Sequence, residues 1–241
     1  MRIRPLITAV LAGVAAASVG ACGDAAAPAH ERPAQPGALR YAVVGDSYSN
    51  GEGVGLAQSW PSQLARRLSG AGLRITVVSN PSVTGWTSEQ AIDEELAAFK
   101  RARPDVATLQ IGVNDWVQGV SAATFRAHVK QLLDTMIATL GGPERLIVVT
   151  IPDFSATPSG AAYTGGRDAT AGIAAFNAIL RGESRSRGVA VADVFGVSQA
   201  MGDPRLTAPD QLHPSAIELG VWTDRIAPVA RRRWREIRGA A

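Results

Sequence analysis

The chain has 241 residues, of which 46% are hydrophobic and 19% are charged, so it is long and apolar enough to bury one substantial core. Its formal net charge of +3 becomes nearly zero without the two arginines of the leader described next, because 22 basic side chains then face 21 acidic ones. This balance argues against a nucleic-acid partner, and a single cysteine excludes an internal disulfide.

The first 21 residues, MRIRPLITAVLAGVAAASVGA, predict a leader for export. Two arginines precede an apolar run that is too short to span a bilayer comfortably, and small residues follow it. The segment VGAC resembles a lipobox, the site at which bacterial lipoproteins are cleaved and lipidated on the cysteine, here Cys22. We therefore expect an extracytoplasmic lipoprotein anchored to a membrane of the bacterial cell envelope. The alternative is an ordinary secretory signal with an incidental cysteine.

Residues 22–38 follow the leader and are rich in alanine and proline, with no apolar period. This composition is typical of a flexible tether between a membrane and a folded domain. Of the three histidines in the chain, His30 lies in this segment. We expect one folded domain over residues 39–241, with no internal repeat, acting as a monomer.

Five apolar runs predict strands, each followed by a connection long enough for a crossover. In chain order they are LRYAVVG, LRITVVSN, DVATLQIG, ERLIVVTIP and VAVADVF. Four stretches between them carry apolar residues at helical spacing, namely SWPSQLARRLSG, SEQAIDEELAAFKRA, AATFRAHVKQLLDTMIATLG and ATAGIAAFNAILRGESRSRG. Because strands this apolar are usually buried on both faces, we predict a three-layer α/β/α domain with a five-stranded, mostly parallel sheet.

Polar candidates collect after the predicted strands, at the edge where such sheets bind ligands. Ser47 follows the first strand, Gly85 lies in the loop after the second, and Asn114 follows the third. Asp210 and His213 lie in a loop just before the last helix, which is another connection from that edge. The sequence therefore predicts that these five residues lie close together.

A serine hydroxyl is a poor nucleophile at neutral pH unless an imidazole takes its proton and a carboxylate fixes the tautomer of that imidazole. His30 lies in the tether, and we expect His128, in the middle of a helix, only to pack or to face solvent. His213 remains as the candidate base for Ser47, with Asp210 three residues before it.

The segments GDSYS, NPSVTG, GVND and DQLHPS occur in this order and resemble the four blocks of the GDSL, or SGNH, hydrolase family. The resemblance covers nearly the whole mature chain and implies the flavodoxin-like fold of that family, ester hydrolysis and no cofactor. It implies that Ser47 is the nucleophile, that His213 is the general base and that Asp210 completes the triad. It also implies an oxyanion hole made of the backbone N–H groups of Ser47 and Gly85 and the side-chain amide of Asn114.

Several of these positions also have structural explanations. A glycine after a strand, such as Gly85, often serves backbone freedom, and Asp210 could instead cap the helix that follows it. We expect Asp46 and Asp115 to brace nearby backbone and not to carry protons. Tyr48 stands where the family motif usually has leucine, a change that could reshape the entrance to the pocket.

Other motifs argue against competing functions. No G-x-S-x-G is present, which excludes the nucleophile elbow of α/β-hydrolases, and GEGVG lacks the third glycine of a dinucleotide site. No H-E-x-x-H or paired-cysteine pattern indicates a metal site. The loop DFSATPSGAAYTGGRDAT, residues 153–170, lies at the ligand-binding edge and is either a substrate-shaping flap or a plain mobile loop. Trp86 and Trp116 could line the pocket or pack in the core.

The leading functional hypothesis is a serine esterase that acts on short-chain acyl or acetyl esters of small molecules, glycans or lipids. Two alternatives use the same site, an acyltransferase with an alcohol as acceptor and a lysophospholipase. A lipoprotein that binds envelope glycans or lipids and has lost catalysis is a third alternative, of another class. No motif in the sequence encodes the depth of the pocket.

Overall fold

The computed structural model of the protein describes residues 37–239, and a single parallel sheet forms its centre. Within this range the strand order is β2-β1-β3-β4-β5, and every neighbouring pair is parallel. The strands are β1 Leu39–Gly45, β2 Ile75–Ser79, β3 Val106–Gln110, β4 Leu146–Val149 and β5 Ala190–Ala192. The chain therefore moves outward from β1 to β2 and then returns to the other side of β1.

Helices cover both faces of this sheet. The long ones are α2 Trp60–Gly70, α6 Ala122–Leu140, α7 Ala169–Ser186 and α9 Ala216–Gly239. The short ones are α1 Ser47–Asn50, α3 Ser88–Gln90, α4 Leu96–Arg101, α5 Val113–Val117 and α8 Phe195–Ser198, and a π-helical segment, Ala91–Glu95, joins α3 to α4. Helix α2 packs against α9 in one layer, and α6 packs against α7 in the other.

Local sequence explains where the long helices begin and end. Ser59, Ser121 and Asp168 each precede a helix, and their side-chain oxygens accept N–H groups of the first turn that would otherwise lack a partner. Helix α6 ends at Gly141, whose φ of 82° is a left-handed conformation that glycine adopts without strain. Helix α9 continues through Pro228.

Large apolar side chains fill both interfaces between the sheet and the helices. Trp222 and Trp234 of α9 are fully buried, and the Trp234 ring lies 5.6 Å from that of Tyr41 on β1. On the other face, Phe125 and Phe176 stack with their ring centroids 4.4 Å apart, which joins α6 to α7. Burial of one such side chain contributes roughly 1.5–3 kcal/mol, so these contacts fix the layers on the sheet.

The predicted fold class is confirmed. All five predicted strands are present, and the sheet is entirely parallel within residues 37–239. The four predicted helical stretches are also present, although the second is interrupted by the π-helical segment. The predicted leader, Cys22 and nearly all of the tether lie outside the described residues. No helix in the described part of the chain is both long enough and apolar enough to span a bilayer.

Candidate active site

Ser47 lies at the point where β1 turns sharply into α1. The side chain of Asp46 accepts a hydrogen bond from the Tyr48 N–H at 3.1 Å, which caps α1. A Cβ atom at Gly45 would collide with the Ser49 side chain, so only glycine permits this close turn. As the first residue of α1, Ser47 has a backbone N–H with no acceptor inside the helix. The turn therefore presents both a hydroxyl and a free N–H at the edge of the sheet.

Asp210 and His213 form a tight acid–base unit in the loop before α9. Asp210 Oδ2 lies 2.6 Å from His213 Nδ1, and Asp210 Oδ1 accepts the N–H groups of Leu212 at 3.0 Å and of His213 at 2.9 Å. Burial acts to raise the pKa of Asp210, but these N–H groups and the imidazole together hold it below its usual range. The carboxylate therefore stays ionised and fixes His213 with Nε2 facing away from it.

The structure brings the serine turn and the acid–base loop into contact. The ring of Tyr48, next to Ser47, meets the His213 ring edge-on with centroids 5.8 Å apart. Gly53 lies against the same loop, since a Cβ atom there would be 3.5 Å from Asp210 Oδ2. Among the described residues, however, the Ser47 hydroxyl makes no hydrogen bond, either to His213 or to any other group. Catalytic hydrogen bonds of this type often tighten only when substrate binds.

Asn114 and Gly85 meet beside the serine turn. Asn114 Nδ2 donates one hydrogen bond to the Trp86 carbonyl at 2.9 Å, which orients the amide and leaves its second N–H available. Gly85 has a φ of 83°, and Gln118 Nε2 donates to its carbonyl at 3.2 Å. Within residues 37–239 the Gly85 N–H has no acceptor. The predicted oxyanion donors are therefore the N–H groups that the local structure leaves unpaired.

Three polar contacts that sequence reasoning missed hold the Gly85 loop against the serine turn. Asn50 Nδ2 donates to Thr84 Oγ1 at 3.2 Å, and Thr84 Oγ1 donates to Glu52 Oε2 at 2.5 Å. Asn80 Nδ2 donates to the Ser49 carbonyl at 2.9 Å. Because these side chains belong to different connections of the sheet, no local motif reveals them.

Three buried carboxyl groups lie beneath the site. Glu95 Oε2 accepts the Gly45 N–H at 2.9 Å, whereas Oε1 has no hydrogen-bond partner among residues 37–239. Burial raises the pKa of Glu95 well above its usual range. Burial also raises the pKa of Asp46 to about 7. The charge of Asp115 raises this pKa further, whereas the hydrogen bond from the Tyr48 N–H lowers it. Asp46, next to Ser47, therefore keeps its proton up to a pH near 7.

Asp115 takes part in a second arrangement of Asp, Ser and His that cannot act as a nucleophilic triad. Ser88 Oγ makes a very short hydrogen bond to Asp115 Oδ1, and the Ser88 N–H donates to Asp115 Oδ2 at 2.8 Å. His128 Nδ1 lies 2.9 Å from Ser88 Oγ and must be the donor, because the serine proton goes to Asp115. Ser88 is fully buried. Asp115 therefore braces backbone as predicted, while His128 does more than pack or face solvent.

Trp116 belongs to the core on the far side of Asn114. Its side chain is only 6% exposed, and its ring lies 5.8 Å from that of Phe154. A Cβ atom at Gly172 would overlap the indole, so the backbone of α7 packs directly on the Trp116 ring and leaves no room for a side chain at position 172. The core interpretation of Trp116 is therefore confirmed, whereas Trp86 is half-buried beside the site.

In the described part of the chain, no group of three or more His, Cys, Asp and Glu side chains is placed to hold a metal ion. The same part of the chain holds a serine, a histidine hydrogen-bonded to a carboxylate, and N–H donors that have no acceptor within residues 37–239. Such a set can transfer an acyl group without a metal.

Comparison with protein families gives one match that covers most of the chain. The family model described as the GDSL-like Lipase/Acylhydrolase family matches residues 43–217. Among curated proteins, Esterase TesA of Pseudomonas aeruginosa is 30% identical over 98 residues, which are 41% of this chain and 48% of that protein. An Arylesterase of Vibrio mimicus is 26% identical over 110 residues, 46% of this chain and 54% of that protein. The chain thus matches about half the length of these relatives.

Solved structures with the same fold match more of the chain. The crystal structure of TesA covers 80% of this chain and 99% of its own, with a TM-score of 0.65 at 22% identity. A lipase/acylhydrolase from Enterococcus faecalis covers 81% and 96%, with a TM-score of 0.65 at 21% identity. A Clostridium thermocellum family 3 carbohydrate esterase covers 84% and 98%, with a TM-score of 0.60 at 21% identity. At these identities the likeness establishes the fold.

Proposed function

Because the chain belongs to the GDSL-like lipase/acylhydrolase family, we propose that it is a serine esterase that hydrolyses carboxylic esters through an acyl-enzyme on Ser47. Family membership gives the class of reaction, acyl transfer from an ester. The roles of Ser47, His213, Asp210, Gly85 and Asn114 are our assignment.

In the proposed mechanism, His213 Nε2 takes the proton of Ser47 as Oγ attacks the carbonyl carbon of the ester. Negative charge then develops on the carbonyl oxygen, which accepts N–H groups from Ser47, Gly85 and Asn114. His213 returns the proton to the leaving alcohol, and water attacks the acyl-enzyme by the same route. Asp210 stays ionised and stabilises the imidazolium that forms at each step.

The observation that carries the proposal is the pairing of His213 with Asp210 beside a serine turn that has a free N–H. Asp210 accepts three hydrogen bonds, all from Leu212 and His213, at 2.6–3.0 Å. A carboxylate that served only as a helix cap would not need to hold the imidazole of the third residue after it. The N–H groups of Ser47 and Gly85 and the second amide hydrogen of Asn114 have no acceptor within residues 37–239, which supports the same conclusion.

We infer that the substrates are short-chain acyl or acetyl esters. Residues 37–239 contain no large inserted lid, and aromatic residues make up only 5% of the chain, which does not favour a deep pocket for long acyl chains. The similarity in fold to a carbohydrate esterase is consistent with this inference without identifying the alcohol. We further propose that Cys22 carries a lipid anchor that holds the enzyme at the bacterial envelope, where its ester substrates would be encountered.

The test is hydrolysis of p-nitrophenyl esters from acetate to palmitate by the full chain and its Ser47→Ala variant. Turnover should be lost in Ser47→Ala with thermal melting nearly unchanged, because the Ser47 hydroxyl makes no hydrogen bond in the described part of the chain. Ser49→Ala is the matched control, since Ser49 belongs to the same turn but bonds Gln110 at 3.4 Å beneath it. Retained turnover in Ser47→Ala would contradict the assignment of Ser47 as the nucleophile. A fluorophosphonate should label the wild type and Ser49→Ala covalently, and it should not label Ser47→Ala.

A further inference from the structure

The connection after β4 is hydrogen-bonded to neighbouring parts of the domain at both ends and in the middle. Residues 153–168, here named the strap, contain two single-turn 3₁₀ helices, Phe154–Ala156 and Gly160–Tyr163. The strap begins at Asp153, a buried carboxylate that accepts hydrogen bonds from Ser155 Oγ at 2.5 Å and Thr170 Oγ1 at 2.8 Å. The second of these hydrogen bonds attaches this end of the strap to the first turn of α7.

The middle of the strap is attached to the acid–base loop. The Ser159 N–H donates to the Gln211 carbonyl at 3.0 Å, and Ser159 Oγ lies 3.5 Å from the Asp210 carbonyl. Both acceptors are backbone groups of the loop that carries His213. The strap therefore moves only if this attachment breaks or the acid–base loop moves with it.

The far end of the strap is attached to α5 by Arg167, a residue of the strap itself. Arg167 donates Nη1 to the Trp116 carbonyl at 2.7 Å and Nη2 to the Val117 carbonyl at 2.8 Å. Its Nε donates to the Thr164 carbonyl at 3.0 Å, within the strap itself. The guanidinium also lies 4.0 Å above the Trp116 ring, a distance suited to a cation–π contact. One side chain thus satisfies carbonyls at the end of α5 and closes the strap.

These attachments place the strap between the two halves of the site. One half is the loop of Asp210 and His213, and the other is α5, whose second residue is Asn114. The leaving alcohol must face His213, because the imidazole returns a proton to it. The acyl chain therefore leaves the carbonyl carbon on the side away from His213, and α5 with Asn114 forms the other half of the site.

We propose that Arg167 is a positioning residue that closes the strap over the acyl side of the site and thereby restricts the enzyme to short acyl groups. This inference rests on the proposed esterase function. The closure depends on geometry that only arginine supplies, because a planar guanidinium reaches three carbonyls and an aromatic face together. Lysine at this position can satisfy only part of that set.

The test compares kcat/KM for p-nitrophenyl acetate and octanoate in the full chain and its Arg167→Ala, Arg167→Lys and Arg187→Ala variants. Arg187→Ala is the matched control, because Arg187 also bridges segments through Asp134 at 2.6 Å and Glu183 at 2.9 Å but lies between α6 and α7. The octanoate-to-acetate ratio should rise about tenfold or more in Arg167→Ala and less in Arg167→Lys. Arg187→Ala should keep the wild-type ratio even if it melts earlier.

A purely structural role for Arg167 predicts a different result, namely a lower melting temperature with an unchanged ratio, and that result overturns the inference. If Arg167→Ala does not fold, Ser159→Pro carries the test, since it removes the N–H bonded to Gln211 and should raise the ratio in the same way. Failure of the underlying function is distinguishable, because wild type would then neither hydrolyse p-nitrophenyl acetate nor react with a fluorophosphonate.

Discussion

Asn114 Nδ2 donates one hydrogen to the Trp86 carbonyl at 2.9 Å, and its second hydrogen has no acceptor among the described residues. In the proposed mechanism this second hydrogen meets the carbonyl oxygen only as negative charge develops on it. Asn114→Ala should therefore lower kcat by about 10²–10³-fold, with kcat/KM falling equally, because the lost interaction belongs to the transition state. Steady-state kinetics with a p-nitrophenyl ester measure this. A variant that keeps kcat and raises only KM would mean that Asn114 binds substrate and does not stabilise the oxyanion.

Among single residues, the sequence predicted best those that belong to a local motif. Asp210 and His213 are three positions apart and bond each other directly, so their pairing needs no long-range information. Ser88 and His128 are separated by 40 residues, and Arg167 and Trp116 by 51, so their contacts depend on how the whole sheet is ordered. Neither contact could be found by spacing, because no period connects the positions.

The junction of β1, α1 and the π-helical segment buries two acids where the backbone turns. The pKa of Asp46 is raised to about 7 in the folded protein, against about 3.9 in an unfolded chain. Between these values the unfolded chain loses the proton that the folded protein keeps. The stability that Asp46 contributes is thus fully present below pH 4 and is lost as the pH rises toward 7. The loss is on the order of a few kcal/mol, and Glu95 adds to it in the same direction.

Asp46→Asn should flatten this dependence, because asparagine is neutral throughout and its side-chain oxygen can still accept the Tyr48 N–H. Urea unfolding at several pH values from 4.5 to 7.5 gives the free energy of unfolding for each protein. The exposed Asp93→Asn variant is the control and should keep the wild-type slope. Equal slopes in wild type and Asp46→Asn would show that burial at this junction does not control ionisation.

Elements were predictable in proportion to their length. The strands and the four long helical stretches carry a continuous or periodic apolar pattern, which the structure confirms. Helices α1 and α5 have four and five residues, too few to show a helical period, and both begin directly after a strand. These two short helices nevertheless carry Ser47 and Asn114, because a helix that starts at a strand end presents its first residues at the edge of the sheet.

At the scale of the whole molecule, the proposed lipid anchor predicts where the enzyme is found. Cys22 lies outside the described residues, and this proposal rests on the sequence of the leader. The protein made in a bacterial host that processes lipoproteins should enter the detergent phase on Triton X-114 partitioning, and Cys22→Ala should not. Esterase activity per mole should be the same in both, since the proposed catalytic groups all lie within residues 47–213. Equal partitioning into the aqueous phase would leave simple secretion.

The contact between Gly172 and Trp116 also limits how this chain can change over generations. No side chain fits at position 172 while the indole remains, and Arg167 covers that indole from another direction. The residues at positions 116, 167 and 172 therefore restrict which substitutions each of the others can accept. A mutation that removed the indole would allow positions 167 and 172 to vary. Once both had changed, the arrangement could be restored only by several substitutions together.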